Sequence, residues 1–388
     1  MKKGAGFIAL LLFLLLAAGI GWVWWSQQKP GPLRLTRVTF DDLPGWTHND
    51  AAPALAAFRR SCAVLGTGAM GGAGYAGTAR DWRGPCDRAA AAKNARRFFE
   101  QNFTPFAIGA GGQKTGLFTG YYEPQLRGSR KRHGRYQTPV YGLPPDLIRV
   151  DLGLFSPRFH GEHVSGRLAG QKLVPYAPRA VIDQNGLPEA PVLFYGDDPV
   201  AIFFLQIQGS GRVMLDGQPM RVAYAGENGQ PYTAIGHTLV ARGALARSEL
   251  SLQTIRAWLK AHPEAGRAVM ESDKSFVFFR LAPVGDAALG SPGAEGVNLT
   301  PLASLAVDPR LHPLGAPFFV ASDGPGGLFV AQDIGGAIRG PVRGDVFFGF
   351  GNDAERRAGT TKAEGRLFVL LPDAVAARLG PARDFPAP

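Results

Sequence analysis

Two lysines followed by an almost unbroken apolar run open the chain: Met1-Lys-Lys leads into residues 4–25, about the ~20 residues a helix needs to cross a bilayer. Lys2 and Lys3 predict a cytoplasmic start with the bulk of the chain exported, and Trp22, Trp24 and Trp25 predict an interfacial belt. We read residues 1–25 as a membrane anchor; cleavage near the small residues of Leu16-Ala-Ala-Gly19 is the alternative. Residues 26–36 then read as a polar linker.

Leu55, Phe58, Cys62 and Leu65 recur at helical spacing behind Asp50, which predicts an amphipathic helix with Asp50 as its cap. Residues 87–102 predict a second, with Ala89, Ala92, Ala95 and Phe99 on one face. From Gly116 the pattern changes to short β-type runs broken by glycine and proline. Strands are predicted at 117–122, 200–207, 212–215 and 220–224, with Asp216-Gly217 as a turn, and Ser251 caps a helix through Lys260. Strands return at 318–321, 328–332, 346–350 and 367–371. This texture predicts a mainly β protein with peripheral helices, built on barrels rather than on a doubly wound sheet.

The 388 residues leave room for two domains, and 45% hydrophobic with 19% charged residues excludes a mainly disordered chain. A formal charge of +11 points to polyanions, nucleic acid among them. The densest basic run, Arg127-Gly-Ser-Arg-Lys-Arg-His-Gly-Arg135, lies between strand-like segments and reads as a solvated hairpin tip, and the exported chain meets little nucleic acid. Cys62 and Cys86 flank a glycine-rich loop and are read as a disulfide in an oxidising compartment, with two free buried thiols as the alternative. His160 and His163 lack a third ligand, so no metal is called for.

Candidate chemistry gathers near the end of the chain. In Gln332-Asp-Ile-Gly-Gly-Ala-Ile-Arg-Gly-Pro-Val-Arg-Gly-Asp345, two aspartates border apolar runs, where burial raises a carboxyl pKa and lets the group deliver a proton near neutrality. Taken alone, both are also ordinary turn residues. Asp308, in Val307-Asp-Pro-Arg-Leu-His-Pro, makes a third.

This trio resembles the 3D domain that closes the membrane-bound lytic murein transglycosylase A family. Phe118-Thr-Gly-Tyr-Tyr-Glu-Pro124, Gln206-Ile-Gln-Gly-Ser-Gly-Arg212, Tyr224-Ala-Gly-Glu-Asn-Gly229 and Ser275-Phe-Val-Phe-Phe-Arg280 are similar to signatures of the same family in the same order. The resemblance implies a double-psi β-barrel domain from residues 37–122 and 280–380, a small β-domain inserted at 123–279, and a glycan groove between them. It departs from the family where the usual lipid-anchor cysteine is missing, which makes inner-membrane anchoring by residues 4–25 the expected placement of a periplasmic catalytic part, with the family's outer-membrane placement as the alternative.

The implied reaction cleaves peptidoglycan between N-acetylmuramic acid and N-acetylglucosamine, with the muramic C6 hydroxyl attacking its own anomeric carbon and leaving 1,6-anhydromuramic ends. Asp345 is expected to act as acid and then base, Asp333 as the neighbour whose charge lifts its pKa, and Asp308 as a loop holder beside the substrate. Thr119, Tyr121, Tyr122, Gln208, Gly209 and Ser210 are the expected sugar-binding residues, and Arg212 reads either as a carboxylate binder or as an unpaired surface cation. No cofactor is expected; partners would be peptidoglycan, the membrane, and wall-synthesis or division proteins. The alternatives are an inverting hydrolase using the Asp333–Asp345 pair and a non-catalytic wall-binding protein.

Overall fold

The computed structural model describes residues 32–66, 70–159 and 162–386. The predicted anchor and His160 lie outside the described residues, and among these no helix is long and apolar enough to cross a membrane. Residues 33–36, assigned to the linker from sequence, belong instead to strand β1 (Leu33–Arg37), whose Leu33 and Leu35 are buried.

Three helices follow: α1 (Ala52–Cys62), α2 (Ala79–Ala91) and α3 (Ala95–Asn102). Helix α1 forms where predicted, but its N-cap position is Ala51; Asp50, one residue earlier, accepts the Ala52 N–H at 3.0 Å from outside the cap. The single helix predicted over 87–102 is two, because the chain extends at Ala92 and the Asn94 side chain caps a new start by accepting from the Arg97 N–H at 3.0 Å. Phe58, Trp82, Phe98, Phe99 and Phe103 pack their rings at centroid distances of 5.1–6.3 Å, and a Cys62–Cys86 disulfide joins α1 to α2.

Strands β2 (Phe103–Ala110) and β3 (Gly116–Glu123) lead into a second lobe. It holds β4 (Gln125–Ser129), β5 (Thr138–Tyr141), a small sheet of β6 (Ile148–Asp151), β7 (His163–Ala169) and β8 (Lys172–Pro175), helix α4 (Arg179–Asn185), β9 (Val192–Gly196) and α5 (Pro199–Gln208). After α5 come β10 (Gly211–Leu215), β11 (Gln218–Glu227), helices α6 (Ile235–Ala241), α7 (Leu252–Ala261) and α8 (Pro263–Met270), and β12 (Val277–Pro283). The order β12-β11-β10-β4-β9-β5, with a bridge from Gly142 to Phe279, makes this sheet a nearly closed barrel. Asp216 and Gly217 both take positive φ in the predicted turn between β10 and β11.

The strand predicted at 200–207 is helix α5. Asp198 caps it through the N–H groups of Val200 and Ala201, Pro199 opens its first turn and Gly209 closes it in the left-handed region at φ 76°. Val200, Phe203 and Phe204 pack toward α6–α8 while Ile202 and Leu205 pack on the sheet. A helix buried on two sides has no polar face, so its period is invisible in the sequence.

The chain then returns to the first lobe through β13 (Ser304–Val307), β14 (Pro317–Ser322), β15 (Gly327–Ile334), β16 (Arg343–Phe350), helix α9 (Gly351–Thr360), β17 (Lys362–Pro372), α10 (Asp373–Leu379) and β18 (Ala382–Phe385). Pairing runs β14-β15-β13-β16-β3-β17 and closes from β17 back to β14, giving a six-stranded barrel with β2, β1 and β18 continuing from β17. β13–β15 and β3–β16 are its parallel pairs; the other barrel pairings are antiparallel. Phe118, Leu305, Val307, Phe318, Val330, Val346 and Phe368 are buried within it. The expected class, mainly β with a double-psi barrel, a second small β-lobe and peripheral helices, is what the chain forms.

Candidate active site

Strand register assembles the site. Ala306 on β13 pairs with Asp333 on β15 at one side and with Asp345 on β16 at the other, and Asp345 pairs with Thr119 on β3. The two aspartates are therefore separated by one intervening strand, roughly 10 Å from Cα to Cα at the usual strand spacing. In-register residues share a face, so Asp333, Asp345 and Thr119 look the same way, and two residues along, Phe347 pairs with Tyr121. Gly344 turns to the inside instead, where a Cβ would sit 2.9 Å from Leu305 and 3.0 Å from Phe118; only glycine lets Asp345 be carried past that packing.

Asp345 is partly buried, with one oxygen, Oδ1, accepting from the Thr119 hydroxyl at 2.6 Å. Arg343, two residues earlier on the same face, donates to Thr119 Oγ1 at 2.8 Å and to the Leu117 carbonyl at 3.1 Å, so it touches Thr119 rather than the carboxylate. Burial pushes the Asp345 carboxyl up to about 6; Thr119 and Arg343 oppose that and the Asp333 charge adds to it. No hydrogen bond to Oδ2 occurs among the described residues.

Asp333 is tied down more fully. Its Oδ2 accepts from the Tyr121 hydroxyl at 2.8 Å and its Oδ1 from the Ala294 N–H at 3.0 Å. Burial raises its pKa, these donors hold the rise back, and Glu123 adds to it. Burial first and the Asp333 charge second keep Tyr121 protonated, so it is a donor at any physiological pH, and its ring lies 5.2 Å from that of Phe347.

Asp308, buried completely, sits on the loop after β13. It accepts from Arg310 at 2.7 Å and from the Gly340 N–H at 2.9 Å, with Arg339 3.7 Å away. Burial acts to raise its pKa, but these donors and cations outweigh it and hold the carboxyl below the usual range. Beside it, His312 is pushed by burial down to about 4 and is neutral: its Nε2–H donates to the Pro341 carbonyl at 2.8 Å while Nδ1 accepts from the Tyr75 hydroxyl at 2.9 Å. Asp308 and His312 thus pin the loop that joins Asp333 to Asp345 at its far end, through Arg339, Gly340 and Pro341.

The other expected sugar contacts divide. Gln208, at the end of α5, accepts the Tyr122 N–H at 3.0 Å through Oε1, Ser210 donates to Glu123 at 3.3 Å, and Gly209 is the turn between them. These three reach the barrel edge beside Tyr121. Tyr122 points the other way, 2% exposed within the barrel core, and presents only its backbone to this side. Arg212 is neither a free surface cation nor available to a ligand: it donates to Glu123 at 3.3 Å and to the carbonyls of Ala287 and Leu289 at 3.0 and 2.9 Å, and its guanidinium lies 3.4 Å from the Phe350 ring centroid.

Glu123 and Arg343 escaped the sequence reading. Glu123, fully buried where the lobes join, gathers Arg212, Arg221, Ser210 and the Ser291 N–H. No local pattern announces it. Arg343 had one available signal, its i−2 position to Asp345 in a strand, which places both on one face. Across the groove between the lobes, Arg339 lies within electrostatic reach of Glu227 at the end of β11.

Comparison with known proteins bears on the fold and the family. Residues 117–280 match the MltA specific insert domain and residues 303–371 the 3D domain. The crystal structure of MltA from Neisseria gonorrhoeae superposes with a TM-score of 0.75 at 33% identity, over 92% of this chain and 95% of that one. The chain belongs to the membrane-bound lytic murein transglycosylase A (MltA) family. The Escherichia coli K12 protein of that name is 34% identical over 270 residues, a match spanning 65% of each chain and so just under two thirds of that relative. E. coli MltA with bound chitohexaose superposes with a TM-score of 0.65 at 26% identity, covering 89% of this chain and 96% of that one.

Proposed function

We propose that the chain is a peptidoglycan lytic transglycosylase in which Asp345 serves first as acid and then as base. The observation that carries this is a carboxyl with a pKa lifted to about 6, one oxygen held by Thr119 and the other without a hydrogen-bond partner among the described residues, on the strand face it shares with Thr119 and Asp333. The protonated Oδ2 gives its proton to the oxygen of the bond between N-acetylmuramic acid and N-acetylglucosamine. As that C1–O bond breaks, the muramic O6 attacks C1, and the Asp345 carboxylate takes the O6 proton. The proton count is restored, no water is consumed, and a 1,6-anhydro ring results.

Asp333, held by Tyr121 and Ala294, is the fixed neighbour whose charge makes ionising Asp345 harder. Gln208, Gly209, Ser210 and Tyr121 line the groove where a sugar would lie, and a chito-oligosaccharide bound to E. coli MltA supports a glycan there. Anchoring by residues 4–25 would place the site at the periplasmic face of the inner membrane. Digestion of purified sacculi tests the reading: soluble products should carry 1,6-anhydromuramic ends. Reducing ends would instead establish a hydrolase, and no release at all a wall-binding protein.

A further inference from the structure

Glu295 stands behind Asp333 with no role in the steps above. It lies in the tight turn of residues 293–297, which is closed by the Gly293 N–H on the Val297 carbonyl at 3.0 Å. Two consecutive N–H groups of this turn dock on β15: Ala294 donates to the Asp333 carboxylate at 3.0 Å and Glu295 to the Gln332 carbonyl at 3.1 Å. The Glu295 side chain reaches the other way. Its Oε2 accepts from the hydroxyl of Ser61 on α1 at 2.6 Å. Ser61 in turn accepts from Gln332 Nε2 at 2.9 Å, that amide also donates to the Ala57 carbonyl at 3.0 Å, and its Oε1 accepts from Ser304 at 2.5 Å. Ser61, Gln332 and Ser304 are fully buried.

We infer that Glu295 is a positioning residue for the proposed reaction: clamped by Ser61, it fixes the 293–297 turn so that the Ala294 N–H stays on Asp333. The inference rests on the reading of Asp345 as the acid. Three observations carry it. The turn's contact with Asp333 is a single N–H with no side chain behind it. Beside the buried Val297, the polar side chain that ties the turn to α1 is Glu295, and it ends on a buried hydroxyl already engaged by the neighbour of Asp333. No Lys or Arg pairs with Glu295 among the described residues, and Arg60, on the same helix as Ser61, donates to Thr300 instead, so the carboxyl is held by hydrogen bonding rather than by charge. Burial pushes it up to about 7, with Ser61 and Gln332 opposing, so at pH 6 it is mostly neutral and sheds little charge onto the site.

The consequence has a definite sign. The Ala294 N–H favours charged Asp333; freeing the turn removes that donor and lets Asp333 protonate more readily. Its repulsion of the Asp345 charge weakens, the Asp345 pKa falls, and the alkaline limb of activity moves to lower pH. The groups in play are Tyr121, Asp345 and Glu123 facing Asp333, Arg343 and Asp333 facing Asp345, and the uncharged Ser61 and Gln332 facing Glu295.

The test is a pH profile of anhydromuropeptide release from labelled sacculi by the full chain. Glu295→Ala should release product about fivefold more slowly at pH 6, with its alkaline limb about half a pH unit lower and little change in apparent KM. Ser61→Ala should move the limb the same way, and carries the test by itself if Glu295→Ala does not fold. Glu295→Gln keeps a carbonyl oxygen for the Ser61 hydroxyl and should match the wild type. A wild-type rate and limb in the two alanine variants would overturn the clamp, as would a shift in Glu295→Gln equal to that of Glu295→Ala. Asp345→Asn, run alongside, separates the two layers: if it still releases product, the acid assignment falls, whereas a dead Asp345→Asn beside a wild-type-like Glu295→Ala removes the clamp alone.

Discussion

Asp345 and Asp308 stand 37 residues apart and are both withdrawn from water, yet their carboxyls move in opposite directions. Asp308, with no exposed surface, meets the guanidinium groups of Arg310 and Arg339 and the N–H groups of Gly340 and Arg310, and is held ionised. Asp345 meets one hydroxyl, with Arg343 turned to Thr119 rather than to it. Burial alone does not make an acid. What separates a structural carboxylate from a proton donor is how many donors the fold aims at it, and here the fold withholds them from Asp345 and concentrates them on Asp308.

The comparison breaks most sharply at Asp345→Asn. Removing the only group assigned to both proton transfers should lower release of anhydromuropeptides by about 10³-fold. If the contrast is right, this dead variant should also be slightly more stable than the wild type at pH 7.5, by about 1 kcal/mol, because a carboxyl raised from 3.8 to about 6 costs folding energy once ionised. A raised pKa contributes stability below the unfolded value that is lost as pH rises through about 6, so the gain of the asparagine variant should vanish near pH 4. Thermal unfolding across that range reads it directly.

Asp308→Asn should do the reverse. It withdraws a charge from buried N–H donors and from two half-exposed arginines, so stability should drop by about 2 kcal/mol at pH 7 while the remaining folded enzyme keeps most of its turnover. Since its pKa is lowered in the fold, the contribution is full above the ordinary value of 3.8 and lost as pH falls through the lower folded value. The wild type and variant should therefore converge in Tm only in strong acid. A turnover loss as large as that of Asp345→Asn, at full folding, would make Asp308 a participant and dissolve the contrast.

How much of this was visible in the residues alone differs between the two aspartates. The apolar run after Asp345 gave most of β16, and the Ser251 cap gave α7, because these are local patterns, whereas β13 between the two aspartates went unpredicted. The contact that distinguishes Asp345 is made by Thr119, 226 positions away, through the β3–β16 register, and nothing local in either segment encodes that pairing. Asp308 was readable as a loop holder from Asp-Pro, but not its two arginines: Arg339 arrives from the loop before β16. Helix α5 failed for a different reason, being apolar on every side, and with it the approach of Gln208 and Ser210 to β3 was hidden.

The finest test of the contrast adds or removes one donor. Thr119→Val preserves shape and takes away the single hydroxyl on Asp345 Oδ1, which favours the charged form. Its loss should raise the Asp345 pKa further, so the alkaline limb of product release moves up by about half a pH unit, toward the behaviour of a carboxyl left to burial alone. Arg343, deprived of its Thr119 acceptor but still bonded to the Leu117 carbonyl, stays on the same side of the strand, and its charge limits the rise. Activity at pH 5.5 should fall less than tenfold, since the proton is held more firmly but the Oδ2 face is unchanged. An alkaline limb that moved down instead would mean that Arg343 swings onto Asp345 once freed, turning the acid into a second Asp308.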